Sequence, residues 1–362
     1  MKKILLVLLS AALLCGALPG CSGGKAAPSS SAPSESAPAS SEPAASENAP
    51  AASSEPPVSP AEKTSIRIGA LKGPTAMGMV KLMEDAEAGD TANEYSFTIS
   101  AAIDEVTPKI VQGAYDIAAV PANLASVLYN STDGAVQVLA VNTLGVLYIV
   151  ETGDSVQSVA DLKGKTIYAS GKGATPEYAL DYLLSANGID PEKDVTIEYK
   201  SEHSECVAAI AQTENGIALL PQPFVTTAQA KNENIRIALD LTEEWEKVQE
   251  DAEEKSALIT GVVVIRKEFA DQNPEAVAAF LDEYKSSTDY VNANAEEAAA
   301  LIEKQDIVPA AVAKKALPYC NITCIEGAEM QSMLGGYLGV LMEQNPKAVG
   351  GALPDDAFYY SR

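Results

Sequence analysis

Ser65-Ile66-Arg67-Ile68-Gly69-Ala70-Leu71-Lys72-Gly73-Pro74-Thr75-Ala76-Met77-Gly78 is the stretch on which the fold turns. Its apolar run, residues 66–70, reads as a strand, and the closely spaced Gly73, Pro74 and Gly78 read as a turn. Met79, Leu82, Met83 and Ala86 then recur at the i, i+3, i+4, i+7 spacing that gives a helix one apolar face. Strand, glycine-rich loop and helix, in that order, make the unit of a parallel sheet covered by helices.

The unit recurs downstream. Residues 97–100 and 116–120 predict strands, with helices over 106–112 and 124–129. Two apolar runs, 136–141 and 144–150, are separated only by Asn142-Thr143. A second cycle predicts strands at 166–169, 195–199, 216–220 and 235–238, with helices at 176–186 and 205–212. The apolar run 259–265 is like that at 144–150, and both read as crossovers between two lobes. Helical patterns follow at 274–293, 295–304, 309–316 and 328–344. Residues 65–362 exceed the size of one ordinary domain, which also predicts two lobes.

Upstream, Lys2 and Lys3 precede an apolar run, 4–14, and then Leu18-Pro19-Gly20-Cys21. A charged start followed by a short apolar core is the pattern of an export signal. The run is shorter than the roughly 20 apolar residues a permanent span needs, and no later segment is apolar for as long. A cysteine after a small residue resembles the bacterial lipobox, which implies that residues 1–20 are removed and that Cys21 carries the lipid. Residues 22–64 are dominated by Ser, Ala, Pro and Glu, too little apolar surface to offset the entropy of ordering, so they read as a disordered tether.

Fifty acidic against 25 basic side chains give a net charge of −25. That balance repels nucleic acid and anionic membrane surfaces, so no nucleic-acid partner is expected and membrane contact is expected through the lipid alone. Of five cysteines, Cys206, Cys320 and Cys324 lie beyond the anchor; they do not form a disulfide framework, and with one histidine they do not form a zinc site. No metal or cofactor is expected. His203, among Ser201, Glu202, Ser204 and Glu205, reads as a solvated helix start, and Glu243-Glu244-Trp245-Glu246 and 251–255 as charged helix surface. No G-x-S-x-G elbow is present, and Gly171-Lys172-Gly173 lacks the spacing of a phosphate-binding P-loop.

Three stretches carry a resemblance to a known family. They are Ser158-Val159-Ala160-Asp161-Leu162-Lys163-Gly164-Lys165-Thr166-Ile167, Ala114-Tyr115-Asp116-Ile117-Ala118-Ala119-Val120-Pro121, and Phe269-Ala270-Asp271-Gln272-Asn273-Pro274-Glu275-Ala276-Val277 with Phe280-Leu281. In order and spacing they resemble the type II solute-binding proteins of ABC importers, in the branch serving nitrate, sulfonates and thiamine-precursor pyrimidines. The resemblance implies an α/β fold of the type II periplasmic-binding-protein kind, two-lobed, with a ligand cleft between discontinuous lobes: 65–144 with 261–362, and 145–260. It also implies a small-molecule solute, an ABC permease and its ATPase as partners, a monomer at the outer face of the membrane, and binding by lobe closure without chemistry. An enzyme on the same fold and a ligand-sensing receptor subunit are the alternatives, since fold alone does not fix function.

Ligands of open α/β lobes sit beyond the carboxyl ends of the strands. That rule selects Lys72 to Gly78 after the first strand, with Gly73, Pro74, Thr75, Ala76 and Met77 foremost, Asp104-Glu105 after the second, Pro121-Ala122-Asn123 after the third, and Asn142 and Thr143 at the crossover. In the second lobe it selects Ser170-Gly171-Lys172-Gly173-Ala174-Thr175, where the backbone N–H groups of Gly173, Ala174 and Thr175 open a helix, and Pro221-Gln222-Pro223-Phe224, where paired prolines flank Gln222. None of the four arginines, Arg67, Arg236, Arg266 and Arg362, falls in these loops. The expected ligand is therefore neutral or weakly charged, a planar heterocycle ahead of a sulfonate or nitrate, held by loop backbone and by Thr75, Asn123, Thr175 and Gln222.

Overall fold

A computed structural model describes residues 63–250 and 256–362. The expected signal peptide, the anchor Cys21, the tether through residue 62 and the run 251–255 lie outside the described residues. In chain order the strands are β1 (Ser65–Leu71), β2 (Glu94–Ser100), β3 (Ile117–Pro121), β4 (Val136–Leu144), β5 (Leu147–Thr152), β6 (Thr166–Ser170), β7 (Thr196–Lys200), β8 (Ile217–Pro221), β9 (Ile235–Asp240), β10 (Ile259–Arg266) and β11 (Ile322–Ile325). The helices are α1 (Pro74–Met77), α2 (Val80–Ala88), α3 (Thr107–Val111), α4 (Ala122–Ser131), α5 (Thr175–Ala186), α6 (His203–Ala211), α7 (Phe224–Lys231), α8 (Leu241–Val248), α9 (Lys267–Gln272), α10 (Pro274–Ala293), α11 (Ala295–Lys304), α12 (Ala310–Ala316) and α13 (Gly327–Gln344).

The strands form two sheets, each the centre of one lobe of an α/β fold. The larger has the order β11-β4-β10-β3-β1-β2 and the smaller β7-β6-β8-β5-β9. Within them β1 runs parallel to β2 and β3, and β6 parallel to β7 and β8. The strand that arrives from the other sheet runs antiparallel in each: β10 pairs so with β3 and β4, and β5 with β8 and β9, while β11 adds a second antiparallel strand at the edge beside β4. Each lobe is thus completed by a strand handed over from its neighbour, so the carboxyl ends of the parallel strands in both sheets face one cleft.

Burial follows from this layering. Ile66, Ile68, Met77, Phe280 and Tyr284 fill one face of the larger sheet, and Val150, Cys206, Ile210 and Leu220 one face of the smaller. A third apolar cluster joins Val120 and Val262 of the larger sheet, Ile149 and Leu219 of the smaller, and Leu334 and Leu338 of α13. The two lobes therefore share a continuous apolar junction.

Several expectations are corrected. The run 259–265 enters the larger sheet from the other lobe and is itself β10, an interior strand whose Val262, Val263, Val264 and Ile265 are all fully buried because the sheet is covered on both faces. Asn142 and Thr143 lie inside β4, and the chain passes between sheets at Gly145-Val146. A side chain at position 145 would put its Cβ 2.2 Å from Thr242 Oγ1 and 3.1 Å from Thr242 Cβ, so only glycine fits this passage. Residues 224–231 form α7, a helix to which the sequence reading gave no assignment beyond Phe224. Trp245, expected on a solvated surface, is fully buried, with its ring 4.5 Å from Tyr182 and 5.6 Å from Tyr337. Its charged neighbours mask an amphipathic period in which only Leu241 and Trp245 turn inward.

Candidate functional site

Between the sheets lie two adjoining chambers of about 70 and 80 Å³, which share Leu71, Lys72, Pro121, Pro176 and His203 as walls. Each holds roughly two to three waters' share of liquid volume, so the cleft as it stands fits only a small solute. The first chamber is bounded by polar groups: Lys72 after β1, Ser170 and Gly171 after β6, and Ser201, Glu202 and His203 after β7. The second is mostly apolar, walled by Leu71, Pro74, Val146, Leu147 and Pro221, with Thr75, Thr143 and Thr260 as its hydroxyls.

Local sequence explains why these groups meet. Each parallel strand ends in a loop that opens a helix, and Pro121, Ala174 and Glu202, the N-caps of α4, α5 and α6, all border the cleft. Three helix N-termini therefore direct partial positive charge inward. Part of that field is already met by protein carboxylates. Glu177 accepts a hydrogen bond from Gly173 N–H, and Glu205 accepts from Ser201 N–H at 2.8 Å. Gly73 N-caps α1 at φ 139°, a conformation that favours glycine.

His203 is the group the sequence reading missed. It is not a solvated helix start: Ser170 Oγ lies 2.6 Å from its Nδ1, and the Phe224 ring is 5.0 Å away. Burial of the imidazole lowers its pKa to about 4, so the ring is neutral at pH 7. Applying the strand-end rule to β7, as it was applied to the other strands, selects Ser201-Glu202-His203 and would have found it. Lys72 also pairs with the exposed Asp306 at 2.9 Å.

The expected residues divide. Gly73, Pro74, Thr75 and Thr143 line the second chamber, and Ala174 the first. Ala76 and Met77 point into the core beneath α1, and Asp104 and Glu105 are exposed outside both chambers. Asn123 and Thr175 are fully buried and bonded to each other at 3.3 Å, and Gly173 gives its carbonyl to Asn123. Gln222 turns its Oε1 onto Thr226, 2.9 Å from Oγ1, in the first turn of α7. Asn142 is fully buried below Thr143, its Nδ2 without a hydrogen-bond partner among the described residues.

Comparison with known proteins agrees with this geometry. Residues 89–315 match the family model described as "ABC transporter, phosphonate, periplasmic substrate-binding protein". No functionally curated protein matches the chain in sequence. Among solved structures, an ABC transporter protein from Parabacteroides distasonis is 21% identical, with TM-score 0.67 over 83% of this chain and 100% of that one. The periplasmic aliphatic sulphonate-binding protein SsuA from Escherichia coli is 18% identical, TM-score 0.65, over 83% and 93%. The periplasmic nitrate-binding protein NrtA from Synechocystis is 17% identical, TM-score 0.56, over 69% of both chains. At such identities these structures share the fold, whereas the family match spans most of the chain. The chain belongs to the periplasmic substrate-binding proteins of ABC transporters, and it is the solute-binding component of an importer.

Proposed function

We propose that this protein captures a compact solute with one oxyanionic head and a short apolar body, and delivers it to its permease and ATPase by lobe closure, without chemistry on the solute. The observation that carries this reading is the pairing of a donor-rich chamber with a proline-walled one. With the His203 ring neutral, the tautomer in which Ser170 donates to Nδ1 presents Nε2–H to the cleft, and that is the tautomer this reading takes. Lys72 adds the one positive charge in the lining. Glu202 is the one lining carboxylate, and it accepts from Ser204 Oγ at 2.9 Å. Net charge near zero with donors in excess favours an acceptor-rich head of low charge over a dianion or an amino acid clamped by arginine. The family description and the sulphonate and nitrate binders of the same fold support that class.

The hinge of the closure is Gly145-Val146, with the lobes at 65–144 with 261–362 and 145–260 to within a few residues. The anchor is the thioether lipid at Cys21, after removal of residues 1–20, which holds a monomer at the outer face of the membrane. Its support is the sequence alone: Lys2, Lys3, the apolar run and Gly20-Cys21. Without that thiol no lipid is attached, and an acidic domain has little other membrane affinity, so Cys21→Ala should leave the membrane fraction. A variant that stays membrane-bound contradicts the anchor. A thermal-shift panel of methylphosphonate, methanesulfonate, nitrate and neutral aminopyrimidines tests the solute class. At 100 times its Kd a ligand adds about 2.7 kcal/mol, a shift of several degrees. A shift with the aminopyrimidines alone replaces the oxyanion with a heterocycle.

A further inference from the structure

We propose that Asn123 is a positioning residue that latches the two lobes together, setting how often the cleft is closed without touching the solute; this rests on the lobe-closure reading above. Asn123 opens α4 at the carboxyl end of β3, in the lobe of the larger sheet, and is fully buried. Its Nδ2 donates to Gly173 O at 3.2 Å, and its Oδ1 accepts from Thr175 Oγ1 at 3.3 Å. Gly173 and Thr175 follow β6 in the smaller sheet, so both bonds cross between the lobes.

A third bond decides what happens on opening. Asn123 Nδ2 also donates to Ala348 O at 3.0 Å. Ala348 stays with α4, because Ser126 Oγ and Asn130 Nδ2 each donate to the next carbonyl, Val349 O, at 2.8 Å. Asn123 therefore keeps its orientation when the lobes part and presents one donor and one acceptor ready to re-form the pair. The Gly173 peptide is gripped from both sides, its N–H by Glu177 of its own lobe and its carbonyl by Asn123 of the other. Neither Asn123 nor Thr175 lines a chamber, although their neighbours Pro121, Ala174 and Pro176 do. In open water both partners would be solvated, so the two bonds favour closure by a modest factor rather than locking it.

Hydrogen–deuterium exchange on the full-length protein without any solute reads the latch directly. Asn123→Ala, Thr175→Val and the double variant should each speed exchange in cleft segments of both lobes, residues 101–106 and 201–206. The expected acceleration is about tenfold for Asn123→Ala, with β10 unchanged. Because the pair shares contacts, the double variant should exceed Asn123→Ala by little. If Asn123→Ala fails to fold, Thr175→Val, which spares the Ala348 bond, carries the test with a smaller acceleration. Unchanged cleft exchange in Thr175→Val, or acceleration that extends equally into β10, overturns the proposal. No solute enters the experiment, so its failure leaves the solute reading intact, and an empty thermal-shift panel leaves the latch intact.

Discussion

Ser170 Oγ, at the end of β6, lies 2.6 Å from Nδ1 of His203, the first residue of α6, and the two close the polar chamber from the smaller lobe. The contact fixes the ring without charging it. Burial takes the imidazole from an ordinary 6.5 to about 4, so between these values the unfolded chain binds more protons than the folded one. Stability held by the neutral ring is whole above pH 6.5 and is lost as pH falls towards 4, with a slope of up to about 1.4 kcal/mol per pH unit. Denaturant melts of the wild type and of His203→Gln across pH 4–8 check this: the variant should lose that slope. Equal pH dependence in the two proteins refutes the depressed imidazole pKa.

Gly145 predicts a steric effect at the passage between the lobes. A Cβ there meets Thr242 Oγ1 at 2.2 Å and its Cβ and Cγ2 at 3.1 Å, so Thr242 must rotate and still give way. Gly145→Ala should cost on the order of 1–3 kcal/mol, read as a lower denaturant midpoint. Adding Thr242→Gly should recover most of it, because the obstructing side chain is gone.

Glu151 supplies a second acid-sensitive group. Burial raises its carboxyl, but Val156 N–H, the Ser155 hydroxyl and N–H, and the Arg236 guanidinium outweigh that and hold it below the usual carboxylate range. The hydrogen bonds from Ser155 Oγ, Ser155 N and Val156 N are 3.0, 3.1 and 3.1 Å. Its stabilisation is present above the ordinary carboxylate pKa and is lost as pH falls through the depressed one. Glu151→Gln should cost about 2–3 kcal/mol at pH 7 and flatten the acid limb of the stability profile below pH 4.5.

Cys206, Cys320 and Cys324 are free. Burial pushes the Cys206 and Cys324 thiols up to about 12, and the Cys320 thiol up as well, while Cys320 Sγ donates to Ala316 O at 3.3 Å. Thiolate is the reactive form. A colorimetric thiol reagent at pH 7.5 should label none of the three rapidly in the native protein and all three after denaturation without reductant. Fewer than three in the denatured protein would mean a disulfide.

How far the sequence can be read is visible in particular residues. The strand at 66–70, the glycine turn and the strand at 116–120 are set by local apolar period and glycine and proline placement, and β1 and β3 fall there. The run 259–265 shows its apolar composition and its place between the lobes in the sequence, but not its interior position in the larger sheet, which only its pairing with β3 and β4 gives. Trp245 was hidden by three acidic neighbours, Glu243, Glu244 and Glu246, and His203 by flanking serines and glutamates. Asn123 and Thr175 sit where the strand-end rule puts them, yet their polar atoms are taken by each other across the cleft, a fact of tertiary geometry that no spacing encodes.

Isothermal calorimetry of the full chain with methylphosphonate and methanesulfonate, for the wild type, His203→Ala and Lys72→Met, bears most directly on the central claim that the cleft holds an oxyanionic head. The wild type should bind at least one of these solutes one to one. Each variant should bind it at least about tenfold more weakly, 1.4 kcal/mol, with melting temperatures of the free proteins at pH 7.5 within a few degrees of one another. Tight binding that survives both substitutions unchanged, or no binding of either anion alongside clear binding of a neutral heterocycle, would contradict it.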